Sequence, residues 1–198
     1  MISNFFSPIY LKKVVLSTLA IGCFFILQSF NVEKENIKIK DSTLMWVGSK
    51  VTGSHEGTIN LSSGHLILDN NDLVGGEFVI DMTSIVCTDL TGKGKASLEG
   101  HLKSDDFFSV NKFPTASLTI LNVKKNSLGL YQVNANITIK GITQEIMFDA
   151  EIKEKTAKAK LIIDRTEFGI IYKSGNFFKE LADKAIYDEF EISVELKF

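Results

Sequence analysis

The sequence predicts an all-β fold, an antiparallel barrel of about eight strands with one or two short helices at its ends. Three observations carry this. Apolar and polar residues alternate strictly in the second half of the chain, as in Tyr131, Val133, Ala135, Ile137 and Ile139 against Gln132, Asn134, Asn136 and Thr138. Such a period of two marks a strand with one wet face and one dry face. Turn-forming clusters separate the apolar stretches at short, regular spacing, which is the pattern of a sandwich or a barrel. The chain after its first thirty residues is long enough for one domain with a full core.

The elements follow in order. Lys12 and Lys13 precede an apolar run from Val14 to Leu27, and Gln28, Ser29 and Asn31 then turn polar. A basic start with a short apolar centre reads as a secretory signal peptide over residues 1–30, since a spanning helix needs about 20 apolar residues. Export to the periplasm or the medium follows as the expected location. Ala20-Ile21-Gly22-Cys23 loosely resembles a lipoprotein processing site, but Phe24-Phe25-Ile26-Leu27 continues the apolar run where such a site turns polar, so anchoring through Cys23 is the lesser alternative. Residues 31–41 are polar and read as a linker, and residues 42–198 as the barrel domain. Strands are expected over 44–51, 58–62, 65–69, 73–82, 116–123, 131–139, 145–152, 158–164 and 189–198. Ser62-Ser63-Gly64, Asp69-Asn70-Asn71-Asp72 and Lys140-Gly141 supply turns. Residues 96–102, with Leu98 and Leu102 four apart, and residues 176–183, with Phe177, Phe178, Leu181 and Ala182 on one side, read as short helices packed on a barrel end.

Composition narrows the function. Loss of residues 1–30 removes two lysines and no acid from 22 basic and 24 acidic residues, so the formal net charge moves from −2 to −4. A mildly acidic product has no electrostatic reason to bind nucleic acid. Beyond the leader Cys87 stands alone, so no internal disulfide forms and the core must supply stability.

Few residues invite chemistry. His55, His65 and His101 have no zinc-type spacing. His55 reads as a rim residue with a hydrogen-bonded ring. His101, beside Ser104, Asp105 and Asp106, is the most suggestive of the three. Paired acids can do acid–base work when their surroundings push their pKa values apart, but Ser104 or Asp105 as a helix N-cap is the commoner use. Cys87, with no basic neighbour in sequence, reads as a small buried apolar group. Gly92-Lys93-Gly94-Lys95 lacks the spacing of a phosphate loop and reads as a flexible loop. Arg165 is the only arginine and Trp46 the only tryptophan. Arg165 reads as an anion clamp or as half of a local pair with Asp164 or Glu167.

Five ordered segments resemble the YceI-like family. They are Gly100-His101-Leu102 through Asp105, Phe107 and Phe108 with Phe113-Pro114-Thr115-Ala116; Leu73-Val74-Gly75-Gly76 before Ile80-Asp81-Met82-Thr83-Ser84-Ile85; Ile137-Thr138-Ile139-Lys140-Gly141-Ile142-Thr143; and Arg165-Thr166-Glu167-Phe168-Gly169-Ile170. The resemblance implies an exported, lipocalin-like barrel of eight strands without catalysis or cofactor, whose apolar cavity holds a polyisoprenoid or similar long-chain lipid. On the inward faces the expected ligand contacts are Phe78, Ile80, Leu118, Ile120, Val133, Ile137, Ile146, Phe148, Leu161, Ile163, Ile192 and Val194. Trp46 and Phe168 are expected at the ends, and His101 and Arg165 as polar head-group contacts. A homodimer sharing a long ligand is a further expectation. Two other functions compete: a metal-dependent or hydrolytic enzyme built on His55, Glu56, His101 and Asp105, and a solid-barrel stress or interaction protein.

Overall fold

The computed structural model describes residues 34–198. The signal-peptide reading and the alternative at Cys23 fall outside the described residues. Among the described residues nine strands form one sheet: β1 (Glu35–Lys38), β2 (Asp41–Lys50), β3 (Gly53–Asp69), β4 (Asp72–Cys87), β5 (Thr115–Lys125), β6 (Tyr131–Ile139), β7 (Ile142–Lys153), β8 (Thr156–Asp164) and β9 (Ile186–Lys197). A helix, α1 (Gly92–Lys103), joins β4 to β5, and the order β3-β2-β9-β8-β7-β6-β5-β4 closes through a β3–β4 pairing. Every ladder is antiparallel. The result is the expected eight-stranded barrel, with β1 as a short ninth strand in its wall, on the edge of β3 that β2 leaves free beyond Ile59.

Two hairpins show why the alternation holds register. Asp69 faces Asp72 around Asn70 and Asn71, both at positive φ (49° and 68°). Ile139 faces Ile142 around Lys140 (φ 51°) and Gly141 (φ 74°). Two-residue turns with both φ values positive match the twist of the flanking strands, and asparagine and glycine tolerate that region best. A fixed turn fixes the pairing, and the pairing keeps every second side chain inside.

Four expectations from sequence need correction. The 31–41 linker contains Glu35–Lys38, which forms β1, and Asp41 already begins β2. The backbone groups of β1 find an edge on residues 65–68 of β3, and Ile37 and Ile39 pack against the core. Ser62-Ser63-Gly64 is not a turn. The register shifts there between Leu61 and Ser63, so these residues form a bulge that bends one 17-residue strand. A bulge takes the same small residues as a turn but keeps the strand going. Gly92-Lys93-Gly94-Lys95 is the first turn of α1, not a loop. Residues 176–183 are not a helix: only Ala182–Lys184 form a 3₁₀ turn, and Phe177 and Phe178 are 55% and 46% exposed.

One end of the barrel is plain and the other elaborate. Hairpins 69–72 and 153–156 and the 125–131 connection close the plain end, where the Tyr131 hydroxyl donates to Asp72 at 2.9 Å and Lys125 pairs with the same carboxylate. α1, the Arg165–Phe168 3₁₀ turn and residues 169–185 lie at the other end, next to the β2–β3 turn.

Candidate functional site

The inward faces do not fill the barrel. They enclose a cavity of about 690 Å³, within the usual size of a small-molecule site. Its wall is almost entirely aliphatic and aromatic. Trp46, Phe78, Ile80, Leu118, Ile120, Val133, Ile137, Phe148, Leu161, Ile163, Ile192 and Val194 stand in it, as do His101 and Arg165. Two expected contacts do not. Ile146 faces Ala135 across the β6–β7 ladder and packs into the core beside the cavity. Phe168 is 1% exposed in the 3₁₀ turn, which packs on β7 and β9, and belongs to the core but not to the cavity wall.

Alanines make the space. Ala116, Ala150, Ala157 and Ala159 all reach the wall, and Ala150 lies directly opposite Ala159 across β7–β8. Leucine or isoleucine at those inward positions would close the barrel. The sequence reading missed this half of the wall together with Leu44, Ile59 and Leu66 of β2 and β3. Their signal was present, since small residues sit in the inward phase of otherwise bulky strands.

α1 closes part of the elaborate end. Leu98, His101 and Leu102 line the cavity from above. The helix stops at Ser104, whose backbone N–H and hydroxyl both donate to the His101 carbonyl, at 3.1 and 2.8 Å. Ser104 is therefore a C-cap and not the N-cap expected of it or of Asp105. Asp105 is exposed and paired with Lys112 at 2.8 Å, and that cation holds its carboxyl below the usual carboxylate range. The two following aromatics are packing groups. Phe107 meets Phe108 edge-on at 5.4 Å, and Phe108 meets Phe190 of β9 at 6.1 Å.

His101 is held by aromatics, with Tyr172 at 4.4 Å and Phe107 at 5.5 Å between ring centroids. Its Nε2 and the Trp46 Nε1 are buried polar atoms without a hydrogen-bond partner among the described residues. Buried polar atoms of this kind are few in a native protein, and both lie on residues of the cavity wall.

Arg165 lines the cavity, but its guanidinium is committed to other partners. It is 2% exposed, and its guanidinium donates to the carbonyls of Ile170 (2.6 Å), Ile186 (3.0 Å) and Tyr187 (3.1 Å) and to the Asp188 carboxylate (3.2 Å). The ion pair is thus with Asp188, not with Asp164 or Glu167 as expected. Burial pushes the guanidinium below its ordinary value, against the pull of Asp188 and Asp164. A group so occupied ties the chain between residues 165 and 188 together and has little left to offer a ligand.

The residues of the enzyme alternative do not converge. His55 Nδ1 is 2.8 Å from Asp89, Asp105 is taken by Lys112, and His101 sits among rings. Among the described residues no three histidine, cysteine, aspartate or glutamate side chains come together as a metal ion would need. Cys87 is fully buried, donates its thiol to Asp89 at 3.0 Å, and is pushed up in pKa by that burial, which is the reverse of an activated nucleophile.

Asp89 is the electrostatic centre of this corner. It accepts from Cys87 Sγ, the Glu56 N–H (3.2 Å) and His55, and these bonds bring its carboxyl down to about 2 from 3.8. Its folded pKa is depressed, so its contribution to stability is complete above 3.8 and is lost as pH falls toward 2. Asp89→Asn should therefore lower the urea midpoint above that window and converge with wild type near its acid end. Parallel midpoints throughout would assign Asp89 a role independent of its charge.

The YceI-like domain model matches residues 31–198. A UPF0312 protein of Yersinia enterocolitica is 34% identical over 68 residues, covering 34% of this chain and 35% of that protein. One from Vibrio vulnificus is 28% identical over 96 residues, covering 48% and 49%. The matched stretches thus span about a third to a half of these relatives' length. Among solved structures, Burkholderia cenocepacia BcnA aligns with a TM-score of 0.62 at 19% identity, over 78% of this chain and 94% of that one. A polyisoprenoid binding domain from Saccharophagus degradans aligns at 0.55 and 16%, over 81% and 95%. At such identities the structural likeness speaks to the fold. The family match covers the whole barrel, and the chain belongs to the YceI-like domain family.

Proposed function

We propose that this protein binds a long-chain amphiphile, a polyisoprenoid or similar lipid, inside the barrel, and carries it after export. The observation that carries the reading is the apolar cavity itself. An apolar space of this size has little to offer water, which needs two to four polar partners at each position. An apolar chain gains ~2.5 kcal/mol for each ~100 Å² it hides from water. Affinity then grows with the length of chain buried, and only one end of the guest needs polar contacts. The polyisoprenoid binding domain of Saccharophagus degradans shares this fold and supports the choice of guest class. The basic-then-apolar start of the chain supports export. A solid barrel is disfavoured by the cavity volume, and an enzyme by the dispersal of His55, Glu56, His101 and Asp105.

Organic extraction of the purified protein followed by mass spectrometry should release a long-chain lipid, or the emptied protein should take up an added polyprenol. Ala159→Phe places a ring in the space between β8 and the opposite wall. It should cut bound lipid by about tenfold while costing at most the ~1–3 kcal/mol of overpacking. A protein that neither yields nor takes up lipid, with the fold intact, would end this reading.

A further inference from the structure

The exposed apolar side chains of the elaborate end are not scattered. Val51 (49%), Ile171 (38%), Phe177 (55%), Phe178 (46%) and Tyr187 (54%) all belong to residues 50–53 and 171–187. These segments are joined to one another. The Val51 N–H donates to the Ala185 carbonyl at 3.2 Å, the Ile186 N–H to the Lys173 carbonyl at 2.9 Å, and Lys50 pairs with Ile186 in the β2–β9 ladder. Phe177 and Phe178 hang from a turn on Ser174, a fully buried residue whose carbonyl accepts both of their N–H groups, at 3.2 and 3.0 Å.

Charge on these segments runs against the rest of the chain. Four lysines, Lys50, Lys173, Lys179 and Lys184, stand among them against two acids, Glu180 and Asp183, in a protein of net charge −2. The cavity opens through this surface, because Lys50, Thr52, Lys173, Lys184 and Tyr187 are part of its lining.

We propose that this end docks on an anionic phospholipid bilayer, with Phe177 and Phe178 in the interface and the lysines against the headgroups. Grouped exposed apolar residues mark interaction surfaces. Aromatic rings favour the boundary between headgroup and acyl chain, and lysines add attraction to an anionic leaflet. A second copy meeting this face with its own equivalent face would set lysines against like charge, whereas an anionic bilayer satisfies both the rings and the lysines. The mouth of the cavity then faces the phase in which an apolar guest dissolves. That use of the contact rests on the proposed function, whereas the contact itself rests on the surface alone.

The test uses the full chain and a reporter placed in the patch, so that binding through the apolar 14–27 stretch is not mistaken for docking. The F178W indole, corrected for the buried Trp46 of wild type, should shift to the blue on phosphatidylglycerol vesicles and be quenched by brominated acyl chains. Lys173→Gln, Lys179→Gln and Lys184→Gln together should weaken partition by about tenfold or more, and phosphatidylcholine vesicles should bind weakly. Phe177→Ser with Phe178→Ser should abolish docking but retain any lipid found on extraction. An indole that stays unquenched while the chain sediments with vesicles would overturn the proposal. So would a blue shift that grows with protein concentration without vesicles, since that marks contact between copies. Docking without extractable or exchangeable lipid would sustain the surface and defeat only the carrier reading.

Discussion

Arg165→Met should destabilise the protein by about 3–5 kcal/mol, the usual cost of removing one partner from a buried ion pair. In a domain of this size that lowers Tm by roughly 6–20 °C. The guanidinium satisfies three backbone carbonyls and Asp188, whose side chain is 13% exposed. Methionine fills much of the volume and satisfies none of them. Asp188 would keep only its bond from Asn176 Nδ2 at 2.7 Å. Lysine should recover less than half of the loss, because a point charge on a flexible stem cannot reach carbonyls that a planar fork meets together. Asp188→Asn should be milder, since an amide oxygen still accepts from the arginine. The damage should also be local. Hydrogen exchange should quicken at Ile170, Ile186 and Val51, whose N–H groups bond across the segments that Arg165 holds, and the plain end of the barrel should keep its protection. Uniform acceleration in all strands would instead make Arg165 a support of the whole barrel.

This clasp also explains what could be read from the sequence. β6, β7 and β9 were legible because each has one wet face whose side chains are mostly charged, amide or hydroxyl residues, Met147 and Tyr187 being the exceptions. The Lys140-Gly141 turn was legible because few residues other than glycine sit easily at φ 74°. Residues 176–183 were not, because their path is set from outside. Asn176 reaches Asp188, Ser174 pairs with Ile186, and Arg165 grips both ends of the segment. An apolar pair at helical spacing cannot reveal that its backbone is committed elsewhere. Arg165 was misread for the same reason. A side chain bonded mainly to backbone carbonyls leaves no partner residue type in the sequence, so its neighbours Asp164 and Glu167 drew attention in place of Asp188. The choice between cavity and solid core was decided by Ala150 facing Ala159, a pairing that needs the strand register and not only the period.

Gly57→Ala should combine a large loss of stability with a smaller cavity. Gly57 is buried in β3 between Trp46 of β2 and Cys87 of β4. A methyl there would stand 1.8 Å from the Val86 carbonyl oxygen and 2.5 Å from the Trp46 ring. The oxygen belongs to the β3–β4 ladder and cannot move alone, so the ladder must open or the strands part. The cost should meet or exceed the ~1–3 kcal/mol typical of overpacking. The ring can move, but Trp46 lines the cavity, and the direction away from Gly57 is into that space. The two effects separate by a second substitution. Trp46→Val in the Gly57→Ala background should restore lipid uptake and leave most of the stability loss, because the clash with Val86 remains. Gly48→Ala is the matching control, as it also lines the cavity but its methyl would meet nothing within 4 Å. It should fold with wild-type stability or gain up to ~1 kcal/mol from the stiffer unfolded chain. Thermal midpoints and extracted lipid, measured on the same preparations, would read all three variants, and the fluorescence of Trp46 would read the two single substitutions. A wild-type midpoint for Gly57→Ala would mean that β3 and β4 have slack at Val86, and that the close approach of Trp46 is a consequence of the fold instead of a condition for it.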